Sequence, residues 1–415
     1  MTDQRGEQLL RPEVSSTRAT FLELFFDLVF VFALTRVSLR LVDGAGDSAA
    51  GLAAEIVRTG VLFLALWLLW TITVWVTSRY EPERSVIQFV VVGSMFGAMV
   101  MAVALPGAFE ERALPFVLAY LAVMIGRPSV VAVALRRHPR RTVPLRLAAW
   151  AALGAVPWLA GVFAPEQLRL PLWVLALAVD GTGLVLGWPL PRLGPARASG
   201  WLIAGEHLAD RYQQIFLISL GESILVIGLT YSGMAFTADR AGAFTIAFLT
   251  TALLWRIYFH RAGHLLAEAL RVARSPGRLG ASVAATHLVV VVGVLSTAVG
   301  YELVIAHPYG RIDPTWLFFV VGGPAIFLVG RARFEYEIFG RVSWSRSGGL
   351  LALLLLAPAL VLGSPMAAQA VVAVVLAGVA LADAWRSRGR APEIPASPLL
   401  HGEAGGGGGD FHQAP

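Results

Sequence analysis

Long apolar stretches alternate with short polar segments along the chain, and this pattern predicts a bundle of membrane-spanning helices. In a helix, about 20 apolar residues cover a hydrocarbon core of roughly 30 Å. Hydropathy along the sequence predicts about twelve segments of that length. They are Phe21–Leu41, Ile56–Val76, Arg84–Ala104, Ala113–Ala134, Val143–Phe163, Leu170–Leu190, Arg211–Tyr231, Ala241–His260, Ser282–Ala306, Thr315–Gly330, Ser347–Gly363 and Met366–Trp385. The predicted fold class is therefore an all-α integral membrane protein.

The arginines between these segments predict the orientation of the chain. When the loops are assigned to alternate sides, 23 arginines fall on one side of the membrane and 4 on the other. The positive-inside rule places the arginine-rich side, which carries both termini, in the cytoplasm. The first 20 residues contain neither an apolar core nor a cleavage site, so no signal peptide is expected.

Several short motifs recur in the same order in the two halves of the chain, which predicts an internal repeat. The matched positions are Asp27 with Glu222, Trp70 with Trp255, Val90–Gly93 with Val290–Gly293, Arg127 with Arg331, and Asp180 with Asp383. Two six-helix repeats would run parallel, related by an axis along the membrane normal. Chance similarity between segments rich in Val and Leu is the alternative.

This interpretation divides the chain into five parts. They are a cytoplasmic N-terminal segment (1–20), a first six-helix repeat (21–190), a cytoplasmic linker (191–210), a second repeat (211–385) and a cytoplasmic tail (386–415). The tail is rich in Pro and Gly and cannot bury enough apolar surface to fold, so we predict that it is disordered.

Composition agrees with the membrane class and excludes several kinds of chemistry. The chain is 57% hydrophobic and 14% charged, with a mean hydropathy of +0.69. Cysteine and lysine are both absent, which excludes disulfides, thiolate metal sites, Schiff-base lysines and the lysine of a phosphate-binding loop. The basic pI indicates contact with anionic membrane lipid rather than with nucleic acid. We predict no cofactor.

Acidic residues within the predicted spans are the strongest functional candidates. Glu23 and Asp27 lie four residues apart on one face of the first span, and Glu222 lies about halfway along the seventh. A charge in hydrocarbon costs at least about 2.5–3.5 kcal/mol, so such residues usually face the protein interior and often mark a pathway. They could bind a cation or relay a proton, or they could neutralise arginines and lock the helix packing.

Basic residues near these acids are candidate partners. Arg127 lies inside the fourth span, where Asp27 is the expected partner, while Arg256 in the eighth span could reach Asp27, Glu222 or Asp180. Arg36 and Arg40, near the outer end of the first span, could form a cationic entrance that would suit an anion better than potassium.

Histidines at the helix ends have several interpretations. His207, Asp210 and Arg211 open the seventh span, where they could respond to pH or simply anchor a loop. His260 and His264 have the spacing of two metal ligands on one helix face, but no His-Glu-x-x-His pattern accompanies them. His287 is expected to form a hydrogen bond between helices.

Three stretches carry a resemblance to a known family. They are ELFFDLVFVFALTRVS at Glu23–Ser38, HLADRYQQIFLISLGESILVIG at His207–Gly228 and LLWRIYFHRAG at Leu253–Gly263. Together they resemble the low temperature requirement A family of bacterial membrane proteins, with Asp210 at a position where that family's pattern has Glu. The resemblance implies a bacterial cytoplasmic membrane protein and leaves the molecular activity open.

A more distant resemblance points to ion conduction. The first span is similar to the pore-lining first helix of a potassium-channel family built from six-helix units. Trp255, Tyr258 and His260 look like that family's Trp and His on the second helix. Here Phe26 stands in place of the Ser of that family's Phe-Ser-Asp motif, which leaves the polar network of those channels incomplete.

Two functional hypotheses follow. The first is a channel or transporter for a small ion or solute, in which Asp27 and Glu222 are equivalent acidic groups on the first and seventh helices. The second is a sensor or scaffold whose buried charges are structural ion pairs. No Ser–His–Asp order, carboxylate pair or metal cluster at one depth points to an enzyme. Tandem units of this kind often pair, so a homo-oligomer is one arrangement that the sequence permits.

Overall fold

The protein is an α-helical bundle in the computed structural model, which describes residues 8–11, 19–45, 48–191, 205–260, 262–273, 276–388 and 394–396. Within these ranges there is no β-strand, and the only extended pairing is one bridge between Leu10 and Tyr80. Most of the predicted linker (191–210) and most of the tail for which disorder is predicted (386–415) lie outside the described residues.

Thirteen helices make up the described part of the chain. They are α1 (Phe21–Gly44), α2 (Ala49–Arg79), α3 (Ser85–Ala104), α4 (Ala113–Ala134), α5 (Thr142–Phe163), α6 (Glu166–Leu186), α7 (Gly205–Ser232), α8 (Ala238–Phe259), α9 (Ala262–Val272), α10 (Pro276–Ala306), α11 (Gly323–Phe339), α12 (Trp344–Leu360) and α13 (Pro365–Ser387). A π-helical turn, Phe318–Gly322, leads directly into α11. Every predicted span overlaps one of these helices, although the tenth, Thr315–Gly330, ends nine residues before α11 does.

Nine of the described helices are long and apolar enough to cross a membrane, which confirms an all-helical, multi-pass protein. They are α2 to α8, α10 and α13. The other three candidates depart from a simple span in different ways. Helix α1 carries charged residues, α11 continues a π-helical turn, and α12 has only 17 residues. The twelve-span count stays a prediction.

Helix α9 is the one described helix that the hydropathy pattern did not predict. Its 11 residues are too few to cross a bilayer. Leu266, Ala269 and Leu270 are buried, and the helix packs against the start of α7, where Leu270 lies against Gly205. It therefore covers the end of the bundle at which α7 begins.

Helix α1 has a central position that explains its buried charges. It packs against α2 and α3 of its own half and against α7 and α10 of the other. Its N-terminus is fixed by a capping box, in which Thr20 and Glu23 exchange hydrogen bonds. Phe26, Phe30 and Leu34 are buried in the large apolar core that the two halves share. Any polar group on the α7 side of α1 is therefore enclosed by protein.

Candidate functional site

The candidate site is the interface between α1 and α7, which run parallel and in register. Glu23 contacts His207 and Asp27 contacts Arg211, and both pairs are separated by 184 residues. Ser38 and Glu222, which lie close together, have the same separation. A constant separation shows that the two helices keep the same direction and depth over more than three turns. We call the end at which α1 and α7 begin the near end, and the opposite end the far end.

At the near end, Glu23 and His207 form a buried hydrogen-bonded pair. His207 Nε2 lies 2.9 Å from Glu23 Oε1, and neither side chain is more than 1% exposed. His207 Nδ1 is hydrogen-bonded to Ser78 Oγ at 2.9 Å, which ties α2 to the pair. Glu23 also accepts from Thr20, through both the backbone N–H and the hydroxyl. This network joins the beginnings of α1 and α7 to the end of α2.

One turn further along, Asp27 and Arg211 form a buried ion pair. Arg211 Nη2 donates to Asp27 Oδ1 at 2.6 Å, and Trp70 Nε1 donates to the same oxygen at 3.0 Å. Arg211 Nη1 donates to Gln214 Oε1 at 3.0 Å. Asp27 Oδ2 is buried without a hydrogen-bond partner. Asp27 therefore binds Arg211 and Trp70, and the predicted pairing with Arg127 is wrong.

Asp210 and the described N-terminal residues close the near end. The backbone N–H of Ala19 donates to Asp210 Oδ2 at 2.8 Å, so this side chain holds the start of α1. Arg11 donates to the carbonyl of Thr77 at 2.9 Å. Burial lowers the pKa of the Arg11 guanidinium, while the nearby carboxylates of Glu23 and Glu81 act in the opposite direction. Charged groups on three chain segments thus cover the Glu23–His207 pair.

Glu222 is the exception among these acids, because it has no basic partner among the described residues. It is fully buried, and neither carboxylate oxygen has a hydrogen-bond partner. The Ser38 hydroxyl of α1 lies close to it, outside ordinary hydrogen-bond geometry. Glu302 of α10 is near enough to interact electrostatically, and Asp43 at the end of α1 acts on Glu302 in the same way. These acidic side chains lead from Glu222 to the far end.

The register places Asp27 and Glu222 at different depths, which corrects their predicted equivalence. Asp27 is level with Arg211, and Glu222 comes 11 residues later on α7. At 1.5 Å per residue this is about 16 Å along the helix axis. The two carboxyls therefore do not face each other across an axis, although both lie at the α1–α7 interface.

Arg127 is held by uncharged groups of α2. Its Nη1 donates to Thr73 Oγ1 at 2.5 Å and approaches the carbonyl of Leu69 at 3.4 Å. The matched residue of the second half, Arg331, donates to the carbonyl of Ile257 on α8 at 3.0 Å and to that of His260, directly after α8, at 2.7 Å. Arg127 on α4 thus binds the backbone of α2, and Arg331 on α11 binds the backbone at the end of α8.

The remaining candidates lie in the last turns of α8 and at His260, directly after it. Arg256 contacts His260 Nδ1 at 2.9 Å, so none of the three expected acids is its partner. Trp255 is 48% exposed on the surface of the bundle. Buried Tyr258 donates to His287 Nε2 at 2.7 Å, which confirms the expected bond between helices at His287.

Metal binding finds no support in the described part of the chain. No group of three or more His, Cys, Asp or Glu residues lies close enough to hold an ion there. The side chain of His264 lies outside the described residues.

Sequence reasoning missed several partners of these charges. The sequence pattern marks Trp70 only as the match of Trp255 and does not mark Ser78, yet they bind Asp27 and His207, respectively. Two buried acidic sites in the second half were also missed. Glu337 accepts from Ser282 and Thr286, and Asp383 binds Arg346 at 2.6 Å. The sequence does carry one signal for the Glu337 site, because Ser282 and Thr286 lie four residues apart on one face of an apolar helix.

Comparison with known proteins identifies the family. The pattern of the bacterial low temperature requirement A protein, LtrA, matches residues 18–381. This chain belongs to the LtrA family. An uncharacterized protein of Rhizobium meliloti (strain 1021) is 36% identical over 335 residues, which cover 80% of each chain. No solved structure matches the chain.

Two of the stretches that carry the LtrA resemblance bind each other in the folded protein. Glu23 and Asp27 belong to the first stretch, and His207 and Arg211 belong to the second. Asp210, where the LtrA pattern has Glu, retains a role in binding the start of α1. The resemblance to potassium channels has no solved structure to support it here and stays a prediction.

Proposed function

We propose that this LtrA protein moves a proton or another small cation across the membrane, with Glu222 as the group that takes it up. The observation that supports this is a carboxyl fully buried at the α1–α7 interface without a hydrogen bond or an ion pair among the described residues. An isolated buried carboxylate is very costly, so Glu222 is stable only with a proton or a cation bound. Exchange of that ion is the chemistry that the site can perform.

The surroundings of Glu222 suggest a direction of access. Glu302 and Asp43 form an acidic route to the far end. At the near end, the Asp27–Arg211 and Glu23–His207 pairs close the interface. In this proposal the far end is open to ions, and the ion pairs must separate before an ion passes. The proposal includes no catalytic reaction.

The proposed membrane arrangement is twelve spans in two parallel six-helix halves with both termini in the cytoplasm. Its support is the parallel register of α1 and α7 and the matching bonds of Arg127 and Arg331 to the second helix of each half. The arginine distribution then makes the near end cytoplasmic and the far end external.

A scaffold is the second candidate, and the ion pairs favour it. Glu23–His207 and Asp27–Arg211 join α1, α2 and α7 with buried charge-assisted hydrogen bonds, which is what a purely structural role requires. Glu222 distinguishes transport from the scaffold role. A carboxyl with a purely structural role should have a hydrogen-bond or ion-pair partner, and Glu222 has none among the described residues.

Flux measurements in proteoliposomes test the proposal. We expect the purified protein to move protons or monovalent cations, and Glu222→Gln to abolish that flux. The matched control is Glu166→Gln, since the Glu166 side chain is 64% exposed and lies 4.0 Å from Arg58. Glu222→Gln should not lower the melting temperature below that of the wild type, because the side chain that it replaces has no hydrogen bond or ion pair to lose among the described residues.

Two outcomes would contradict the proposal, the first by excluding transport and the second by excluding Glu222 as the group that takes up the ion. One is a wild-type protein that moves neither protons nor monovalent cations. The other is a Glu222→Gln variant that keeps full flux but melts at a lower temperature, which would assign Glu222 a structural role.

A further inference from the structure

A polar cleft at the far end of the bundle meets the acidic route from Glu222 only at Asp43. It lies where α1 ends and α2 begins, has a volume of about 430 Å³, and is lined by Arg36, Arg40, Asp43, Glu55 and Pro106 among others. Positions 36, 40 and 43 fall on one face of α1. Ser38, which lies beside Glu222, points to the opposite side of that helix. The cleft therefore belongs to the first half of the chain and not to the α1–α7 interface.

One ion pair forms a fixed wall of this cleft. Arg40 Nε lies 2.5 Å from Glu55 Oε1, and Arg40 Nη1 donates to the carbonyl of Pro106 at 2.5 Å. The Arg40 guanidinium also lies 5.8 Å from the centre of the Phe109 ring. Glu55 accepts in addition from Thr59 at 2.9 Å. Arg40 and Glu55 therefore neutralise each other and hold their geometry without a ligand.

The cleft has two other charged groups, one of each sign, and both are available to a ligand. Neither Arg36 nor Asp43 has a hydrogen bond or an ion pair within the described ranges. Arg36 is half-buried, and its Nε is buried without a partner. The two residues are seven positions apart, which is about 10 Å along the helix. No ion pair joins the two side chains across that distance.

We propose that this cleft binds a small zwitterionic solute, with a carboxylate at Arg36 and a cationic amine at Asp43. A guanidinium matches a carboxylate through two parallel N–H···O bonds, and a carboxylate accepts from an ammonium group. The volume lies within the roughly 300–1,000 Å³ of small-molecule sites. A zwitterion carries one positive and one negative group, so it can pair with both Arg36 and Asp43. A simple anion or cation leaves one of these two side chains unpaired.

The direction of the side chains adds a length requirement. Helical side chains lean toward the N-terminus of their helix, so Arg36 occupies the deeper end of the cleft and Asp43 its rim. The solute therefore enters with its carboxylate first. A linear ω-amino acid spans the gap between the two groups better than an α-amino acid, whose charges are close together.

Calorimetric titration of the purified full chain tests this site independently of any transport. The probes are 6-aminohexanoate, glycine, propanoate and propylammonium. We expect 6-aminohexanoate to bind with a Kd at least tenfold lower than that of each of the other three. Arg36→Gln and Asp43→Asn should each raise that Kd at least tenfold without lowering the melting temperature, because neither side chain has a partner to lose.

Arg58→Gln is the matched control. Arg58 also lies 5.8 Å from the centre of the Phe109 ring, but it does not line the cleft. Its substitution should leave the Kd of 6-aminohexanoate unchanged. The proposal is overturned if none of the probes binds, if propanoate or glycine binds as tightly as 6-aminohexanoate, or if Arg58→Gln weakens binding as much as Arg36→Gln.

Discussion

Buried charges in this LtrA protein fall into two groups according to their partners. Asp27 binds Arg211 and Glu23 binds His207 in buried positions. Within each pair, the attraction between the two groups offsets part of the free energy needed to remove them from water. Glu222 lies in the same interface and has no such partner among the described residues. Substitutions at these two kinds of position should therefore differ in their effect on folding.

Asp27→Asn should lower the free energy of unfolding by about 3–5 kcal/mol, because it leaves the buried Arg211 charge without its carboxylate. Unfolding by denaturant in detergent micelles would measure the change. Glu166→Gln, an exposed carboxyl, should change stability by less than about 0.5 kcal/mol. If the two variants were equally stable, the Asp27–Arg211 pair would not contribute to the fold.

Helices α1 and α7 show how two distant segments can share one register. They keep a separation of 184 residues from Glu23–His207 to Ser38–Glu222. The motif match between Asp27 and Glu222 instead has an offset of 195 residues. The difference of three helical turns explains why these two acids lie at different depths. Matching motifs thus did not predict which residues are level in the bundle.

Cysteine cross-linking tests the observed register, and the absence of native cysteine simplifies it. Leu34→Cys with Ile218→Cys has the 184-residue separation, so this pair should cross-link rapidly with a short bis-maleimide. Leu34→Cys with Leu229→Cys has the separation of the motif match and should not react. Both pairs lie in helical segments, and the reverse result would show that the two helices pack in the other register.

At the scale of the whole molecule, the bundle encloses part of its charged side chains among packed helices. Glycines permit the closest approaches, as at Gly293, where a Cβ atom would collide with the backbone of Phe327. Gly323 lies equally close to Thr297 on the same pair of helices, α10 and α11. Helix α9 covers the near end, whereas the far end has the open cleft. The two ends of the molecule are therefore chemically different.

Labelling of single cysteines should establish the orientation of the two ends. We expect Ala235→Cys, in the exposed α7–α8 loop, to react with an impermeant maleimide applied to intact cells. Glu83→Cys, in the exposed α2–α3 loop, should react only after permeabilisation. This follows from the arginine distribution and the positive-inside rule. The opposite pattern, or equal labelling of both positions from outside, would contradict the proposed topology.

The sequence by itself determined the class of the protein, the positions of its long helices and its family. Those properties follow from local hydropathy and from short motifs, so they need no knowledge of which helices are neighbours. Only the tertiary structure decided that Asp27 binds Arg211, that Arg127 binds Thr73 and the α2 backbone, and that Glu222 has no basic partner. The physical reason is that electrostatic pairing depends on a few ångströms between helices far apart in the chain. The α1–α7 register and the cleft at Arg36 and Asp43 arise from that same packing.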